Sequence, residues 1–319
     1  MATNGLNIIF GAALFAYSSV DVVQKWLELV EELGFKTIDT AQLYGASEEL
    51  LGKAGAASRF TIDTKVPGAL APELTTGSYV ISSGKQSLAK LGVDSVDVYY
   101  LHAPDRRVPL KDTLSGLNEL YKQGAFKRLG LSNFLGNEVE EIVKIAKENS
   151  FVVPTVYQGN YSAVARRADN EIFPILRKHG IAFYAYSPIA GGFLSRSKAT
   201  LADPNGRFGK GDKLAGLYNG MYNRPSFVAA LDIWGQIAEK EGVSRAELAY
   251  RWATYHSKLD AKLGDALIVG ASKEEQLKET VQAIKKGPLS AAAVKSIEGV
   301  WESVKADASL DNFEMQTQF

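Results

Sequence analysis

The chain has 319 residues, with 36 basic and 36 acidic side chains and no cysteine. Lack of cysteine excludes disulfide frameworks, thiolate metal sites, iron–sulfur clusters and cysteine nucleophiles. It suits a reducing compartment, so a cytoplasmic location is expected. Balanced charge argues against nucleic acid as the main partner, and no apolar run approaches the roughly 18 residues of a membrane-spanning helix.

The apolar run Ile8–Ala16 is read as a buried first strand, because no Lys or Arg precedes Lys25 to make the basic start of a leader. Seven more short apolar runs follow: Lys36–Thr40, Phe60–Val66, Val96–His102, Arg128–Ser132, Thr155–Gln158, Ala182–Ser187 and Ala266–Gly270. With Asn7–Gly11 they make eight candidate buried parallel strands. Helical spacing lies between them. Val22, Val23, Trp26, Leu27, Val30 and Leu33 repeat on one face, bounded by Ser19 and Gly34. Leu88 and Leu91 run to a stop at Gly92, and Leu114, Leu117, Leu120 and Tyr121 to one at Gly124. Val139, Ile142, Val143 and Ala146 make the next stripe. Ser244 with Glu247, and Ser272 with Glu275, have capping-box spacing and predict a helix start at each. A last amphipathic helix is expected after Ser290.

Eight βα units predict a single-domain (β/α)8 TIM barrel over residues 1–319, with a C-terminal helix and tail. A doubly wound sheet is the weaker alternative, because no G-x-G-x-x-G follows the first strand. The long Gly- and Asn-rich segment Ser195–Pro225, after strand seven, is read as a substrate or cofactor loop.

In such a barrel the site lies where the strands end. Asp39, Lys65 and His102 stand at the ends of three successive strands; Ser132-Asn133, Gln158, Tyr186-Ser187 and Ser272 stand at later ends. Tyr44 lies five residues beyond Asp39. A lysine beside Tyr44 is expected to pull the phenol down toward a useful range. The set then reads as a proton donor (Tyr44), an activating cation (Lys65), an orienting carboxylate (Asp39) and a polarising imidazole (His102). No metal cluster is visible. That is equipment for carbonyl reduction with the hydride supplied from outside the chain. Each residue also has a plain structural role open to it: a turn cap for Asp39, packing for Tyr44, a satisfied core ring for His102. His179 is read as a helix-end cation and His256 as a surface residue.

The segments Ile38-Asp39-Thr40-Ala41 with Tyr44, Ile62-Asp63-Thr64-Lys65, Tyr100-Leu101-His102-Ala103-Pro104-Asp105, Gly130-Leu131-Ser132-Asn133, Pro154–Gly159, Tyr186–Gly192 and Val269–Ser272 with Glu275-Gln276-Leu277 resemble the aldo-keto reductase family. The resemblance is nearest to its aflatoxin-aldehyde reductase branch. It implies a catalytic tetrad of Asp39, Tyr44, Lys65 and His102. It further implies Ser132, Asn133 and Gln158 on a nicotinamide carboxamide, with Tyr186 stacked on the ring. The stretch Ser187–Ser197, including Pro188, Ile189, Gly191, Gly192, Leu194 and Arg196, matches the pyrophosphate loop, and Arg207 lies beyond it. Ser272, Gln276, Glu279 and Thr280 match the adenosine end. The implied cofactor is NADPH rather than NADH, although Leu277 stands where many members carry an Arg, and only Lys273 is near. The tail, ending at Phe319, lacks the Arg with which branch members meet a substrate carboxylate. Arg207 and Arg224 are open to phosphate, substrate or solvent. Phe15, Tyr44, Phe193, Tyr218, Tyr222 and Phe313 suggest an aromatic pocket or core packing. The expected partner is a small carbonyl substrate, and the resemblance allows a homodimer. Two other readings fit the same residues: an NADPH-binding, channel-subunit-like protein with little turnover, and a Schiff-base barrel lyase using Lys65.

Overall fold

The protein, described from a computed structural model at residues 4–201, 203, 208, 209, 211 and 214–316, is built on one closed barrel of eight parallel strands in chain order. These are β1 (Asn7–Gly11), β2 (Thr37–Asp39), β3 (Thr61–Val66), β4 (Val96–Leu101), β5 (Phe126–Ser132), β6 (Pro154–Asn160), β7 (Ala182–Tyr186) and β8 (Ala266–Val269). Closure comes from β8 pairing with β1, Asn7 against Ala266 and Phe10 against Val269.

All eight expected strands are present, and most ends move by one or two residues. The largest difference is β6, which runs on through Gly159 to Asn160. Gly159 does not stop the strand. It keeps it close to its neighbour, since a Cβ there would lie 2.7 Å from the Phe183 ring.

The connecting helices are α1 (Val20–Glu32), α2 (Ser47–Lys53), α3 (Gly77–Leu91), α4 (Leu110–Lys122), α5 (Gly136–Glu148), α6 (Ala168–Glu171), α7 (Phe173–His179), α8 (Lys198–Leu201), α9 (Ala215–Tyr222), α10 (Pro225–Glu241), α11 (Arg245–Tyr255), α12 (Glu274–Lys285), α13 (Ala291–Val304) and α14 (Asn312–Gln316). Each longer helix lays an apolar stripe on the barrel. In α1, Val23, Trp26, Leu27 and Val30 are buried, with Trp26 stacked on Phe10 of β1. Burying side chains of this size contributes about 1.5–3 kcal/mol each. Gly92 ends α3 in the left-handed conformation (φ 67°), as its place in the sequence suggests.

Two strand faces divide the core. Ile9, Val98, Tyr100, Val156, Tyr184 and Ile268 fill the barrel, while the alternate residues pack outward against the helices. No described helix is long and apolar enough to cross a membrane.

Three expectations need correction. Ser244 and Ser290 cap their helices, accepting from Glu247 N and Ala293 N, but Ser272 caps nothing. Its hydroxyl and its backbone N–H both donate to Gln276 Oε1, and Lys273 in extended conformation precedes α12. The segment Ser195–Pro225 is not a structureless loop, since it holds α8 and α9. Tyr218, Met221 and Tyr222 give α9 a buried face, and tertiary packing on Phe193 overrides the Gly and Asn that mask it. His256 is half-buried, its Nε2 accepting from Leu289 N at 2.8 Å, so it pins a loop and is not a surface residue.

Candidate active site

The carboxyl ends of β2 to β7 bring the candidate residues together. Asp39 closes β2, and Lys65 is the penultimate residue of β3, one strand away. Alternation sends both side chains into the barrel. Lys65 Nζ donates to Asp39 Oδ2 at 2.6 Å and to the Thr40 carbonyl at 2.7 Å. The lysine side chain is 0% exposed and the aspartate 4%. A buried ammonium is tolerable only with such partners, and removing either would leave an uncompensated charge. Gln158, from β6, fixes the second carboxylate oxygen by donating to Asp39 Oδ1 at 2.9 Å.

Tyr44 reaches this pair from the loop between β2 and α2. Its ring centre lies 5.3 Å from Lys65 Nζ, and the Tyr100 ring lies 5.5 Å from the same atom. The ammonium therefore sits between two aromatic faces. The Tyr44 loop is tied at both ends. Gln42 donates to the Ser83 carbonyl and to Ser87 Oγ on α3, and Thr40 and Ser47 share a hydroxyl bond of 2.8 Å. Between them Gly45 takes φ 53°, and a Cβ there would meet the Ala16 carbonyl at 2.5 Å. His102 follows β4 and stands edge-on to Tyr44, ring centres 5.8 Å apart at 81°. Its Nδ1 is buried and makes no hydrogen bond.

The electrostatics correct one expectation. The Tyr44 phenol is pushed well above its ordinary value, first by burial, then by the negative charge of Asp39 and by Tyr218. Burial and the Asp39 charge, which pairs with Lys65 at 2.6 Å, outweigh the pull expected of that lysine. Burial first, and the Lys65 charge second, hold the His102 imidazole well below its usual range. Both rings are therefore neutral at physiological pH.

The other predicted residues surround this centre. Ser132, fully buried, ends β5 and accepts from Asn133 Nδ2 at 3.1 Å. Asn133 takes φ 62°, a conformation costly for a side-chain-bearing residue. Its amide also donates to the His102 carbonyl, and its Oδ1 accepts from Tyr186 OH at 2.8 Å. Beyond β7 the backbone turns through positive φ at Ser187, Ala190, Gly191 and Gly192. A turn of this type makes an anion-binding concavity. Pro188 and Ile189 lie within it. A Cβ on Gly191 would strike the Tyr218 ring, whereas the space at Gly192 is open. Leu194 is buried, its carbonyl accepting from Trp234 Nε1. Arg196 donates to the Thr200 carbonyl and lies over Phe208.

Gln276 and Glu279 are exposed on α12, and Thr280 is buried and bonded to the Gln276 carbonyl. Arg207 lies outside the described residues. Arg224 donates to the Gly220 and Asp307 carbonyls, which gives it a structural task. Phe15 and Phe193 are wholly buried core residues, and Phe313 is covered by Arg106. Among the described residues no three potential metal ligands cluster. Asp63 and Tyr100, which line the barrel below Lys65, went unassigned in the sequence. Their signal is period two: Asp63 is two residues before Lys65, on the same strand face.

This arrangement suits proton donation to an oxygen above Tyr44 and His102, beside a turn shaped for phosphate. The comparisons with known proteins agree with it. The model of the aldo/keto reductase family matches residues 7–302. Oxidoreductase sirO of Leptosphaeria maculans is 40% identical, over 94% of this chain and 95% of its own length. The human aflatoxin B1 aldehyde reductase member 4 is 38% identical over 91% of each chain, and human member 2 is 37% identical over 92% of this chain and 84% of its own. By its fold, by the segments that meet at the barrel mouth and by these matches, the chain belongs to the aldo/keto reductase family.

Proposed function

We infer that the protein reduces a small aldehyde or ketone to its alcohol with NADPH, Tyr44 acting as general acid. One observation carries the reading: Asp39, Tyr44, Lys65 and His102, from four separate segments, converge at the carboxyl end of the barrel over a fully buried ion pair. Family membership and the oxidoreductase and aldehyde-reductase names of the relatives support the coarser part, an oxidoreductase acting on carbonyls.

The nicotinamide cofactor, when bound, supplies the hydride. The residues present fit such a group. Asn133, Ser132 and Gln158 offer amide and hydroxyl groups to its carboxamide, beside the half-buried ring of Tyr186. The turn of Ser187–Ser197, with open space at Gly192, suits its diphosphate. Ser272, Gln276, Glu279 and Thr280 serve its adenosine end. Lys273, exposed beside Ser272, is the cation we assign to the 2′-phosphate that separates NADPH from NADH.

The chain's own groups then do the following. Burial and the Asp39 charge keep the proton on the Tyr44 phenol until a carbonyl oxygen gains negative charge above it. The phenolate left behind faces the Lys65 ammonium, 5.3 Å from the ring centre, which offsets part of the cost of that charge. Asp39 and the Thr40 carbonyl hold that ammonium in place. His102, neutral, offers an N–H to the same oxygen without adding a second positive charge.

Schiff-base chemistry on Lys65 is not favoured. The amine is 0% exposed and has two short bonds to chain acceptors, so no substrate carbon can approach it.

The test is oxidation of NADPH, with NADH in parallel, against a panel of aldehydes and ketones. Turnover is expected with NADPH. Tyr44→Phe should lower kcat by about 10²-fold or more with cofactor binding, read by fluorescence titration, retained. Wild-type kcat in that variant would overturn the acid assignment. Tight NADPH binding with no turnover on any carbonyl would replace the enzyme by a cofactor-binding subunit.

A further inference from the structure

The barrel interior contains a second carboxyl group that the proposed reaction does not use. Asp63 on β3 is the register partner of Asp39 on β2. Neighbouring parallel strands point register partners to the same face, so both carboxyls enter the barrel side by side. Ile62 and Thr64, on either side of Asp63, point outward: Ile62 joins the helix-packed core, and Thr64 bonds to Glu48 of α2.

Of the two carboxyls, Asp39 holds the Lys65 ammonium. Asp39 has Lys65 on one oxygen and Gln158 on the other. Asp63 has only the Val98 N–H, at 3.1 Å on Oδ1, and its Oδ2 is buried with no partner. The nearest guanidinium, Arg128 of β5, is already committed to Asp97 at 2.7 Å and to Tyr184 OH at 3.0 Å. The remaining groups facing Asp63 are the phenols of Tyr100 on β4 and Tyr184 on β7. The Val98 N–H and the Arg128 charge favour an ionised Asp63, but burial and the charges of Asp39 and Asp97 outweigh them.

We propose that Asp63 is a positioning residue which, as a neutral acid beside Asp39, keeps a second negative charge out of the interior that Tyr44 and Lys65 share, and whose ionisation switches proton donation off. The physical chain is short. An ionised Asp63 adds a second negative charge to the buried interior beside Asp39. That charge disfavours the phenolate that Tyr44 must become. Burial, then the charges of Asp39 and Asp97, push the Asp63 carboxyl up to about 8, within reach of physiological conditions. The step moves one proton from the Asp63 carboxyl to solvent and breaks no other bond.

The proposal rests on the reductase reading above, so the test has an arm that needs no turnover. Infrared titration of the full-length protein, as wild type minus Asp63→Asn, should show a protonated-carboxyl band at about pH 6.5 that disappears as the pH passes about 8. An ionised group at pH 6.5, seen as no band, overturns the proposal. In the kinetic arm, wild-type kcat for carbonyl reduction should fall about tenfold between roughly pH 7 and pH 9, as one group titrating near 8 requires. Asp63→Asn should lose that limb, while keeping any later one that belongs to Tyr44. A limb that persists unchanged in Asp63→Asn overturns the proposal. Asp63→Ser replaces the Asn variant if that one does not fold, because loss of the titration is the readout in both. Absence of any turnover would refute the reductase reading and the switch with it; the infrared arm separates that result from an Asp63 that is simply ionised.

Discussion

The two ends of the barrel each carry a buried aspartate paired with a cation, and the pairs are built differently. At the amino end Asp265, just before β8, has a side chain with no exposure. It accepts from both terminal nitrogens of Arg177, from Phe183 N at 2.7 Å and from Asp260 N at 2.8 Å. Every strong acceptor position is used, and the guanidinium keeps a quarter of its surface in solvent. At the carboxyl end Asp39 holds Lys65, a compact charge with no exposure at all, and the ammonium faces the rings of Tyr44 and Tyr100. Beside it stand a His102 Nδ1 and an Asp63 Oδ2 without partners. The first pair is saturated and ties loops to strands. The second leaves polar groups unspent, which in a buried place is costly unless something else uses them. In this fold that asymmetry separates the stabilising end from the reactive one.

Breaking each pair tests the contrast directly. Lys65→Met should abolish most turnover and cost about 3–5 kcal/mol of stability, because Asp39 is left charged and buried. Arg177→Met should lose stability on the same scale, read by chemical denaturation, with kcat of the surviving folded protein close to wild type. Equal loss of kcat in both would erase the distinction between the ends.

The turn after β7 sharpens it from the cofactor side. Gly191 has φ 64°, and a Cβ there would collide with the Tyr218 ring. Gly191→Ala should cost about 1–3 kcal/mol in backbone strain and contact and weaken NADPH binding, measured by thermal melting and fluorescence titration.

A third prediction concerns pH. Asp63 is raised from its ordinary 3.8 to about 8 in the folded protein. Between these values the native state binds one more proton than the unfolded chain, so stability falls as pH rises, with a slope of about 1.4 kcal/mol per pH unit. Above the folded value the slope vanishes. Asp63→Asn should flatten this part of the curve; a variant as steep as wild type would assign the slope to other groups.

The smallest effects compare two serines. Ser290 caps α13 and Ser290→Ala should cost about 1 kcal/mol. Ser272→Ala, which removes no cap, should stay within about 0.5 kcal/mol while weakening NADPH more than NADH.

Much of the architecture was legible in the residues. Short apolar runs of β-forming residues, most of them followed by a helical stripe and three of those stripes by a glycine stop (Gly34, Gly92, Gly124), predict alternating strands and helices whatever their packing. Strand ends moved where a local signal had a second cause, as at Gly159, which is small because Phe183 is close. The helix α9 was hidden because its stability comes from Phe193 and Phe208 against Tyr218 and Tyr222, residues far from it in sequence or not periodic enough to stand out. Ser272 with Glu275 had the spacing of a capping box, but Gln276 competes for the hydroxyl and the helix begins later.

By itself the sequence determined the barrel, the residues at its strand ends and the family, because short apolar runs, their polar ends and the order of motifs along the chain are properties of the sequence alone. Only the tertiary structure decided what those residues feel. Whether Lys65 lowers the Tyr44 phenol or Asp39 cancels it depends on a 2.6 Å contact between two strands. Whether Asp63 is one more strand residue or an unpaired acid depends on its register with Asp39 and on Arg128 being already occupied. Charge interactions in a buried interior are set by distance and by competition for partners, and neither is written in the order of the residues.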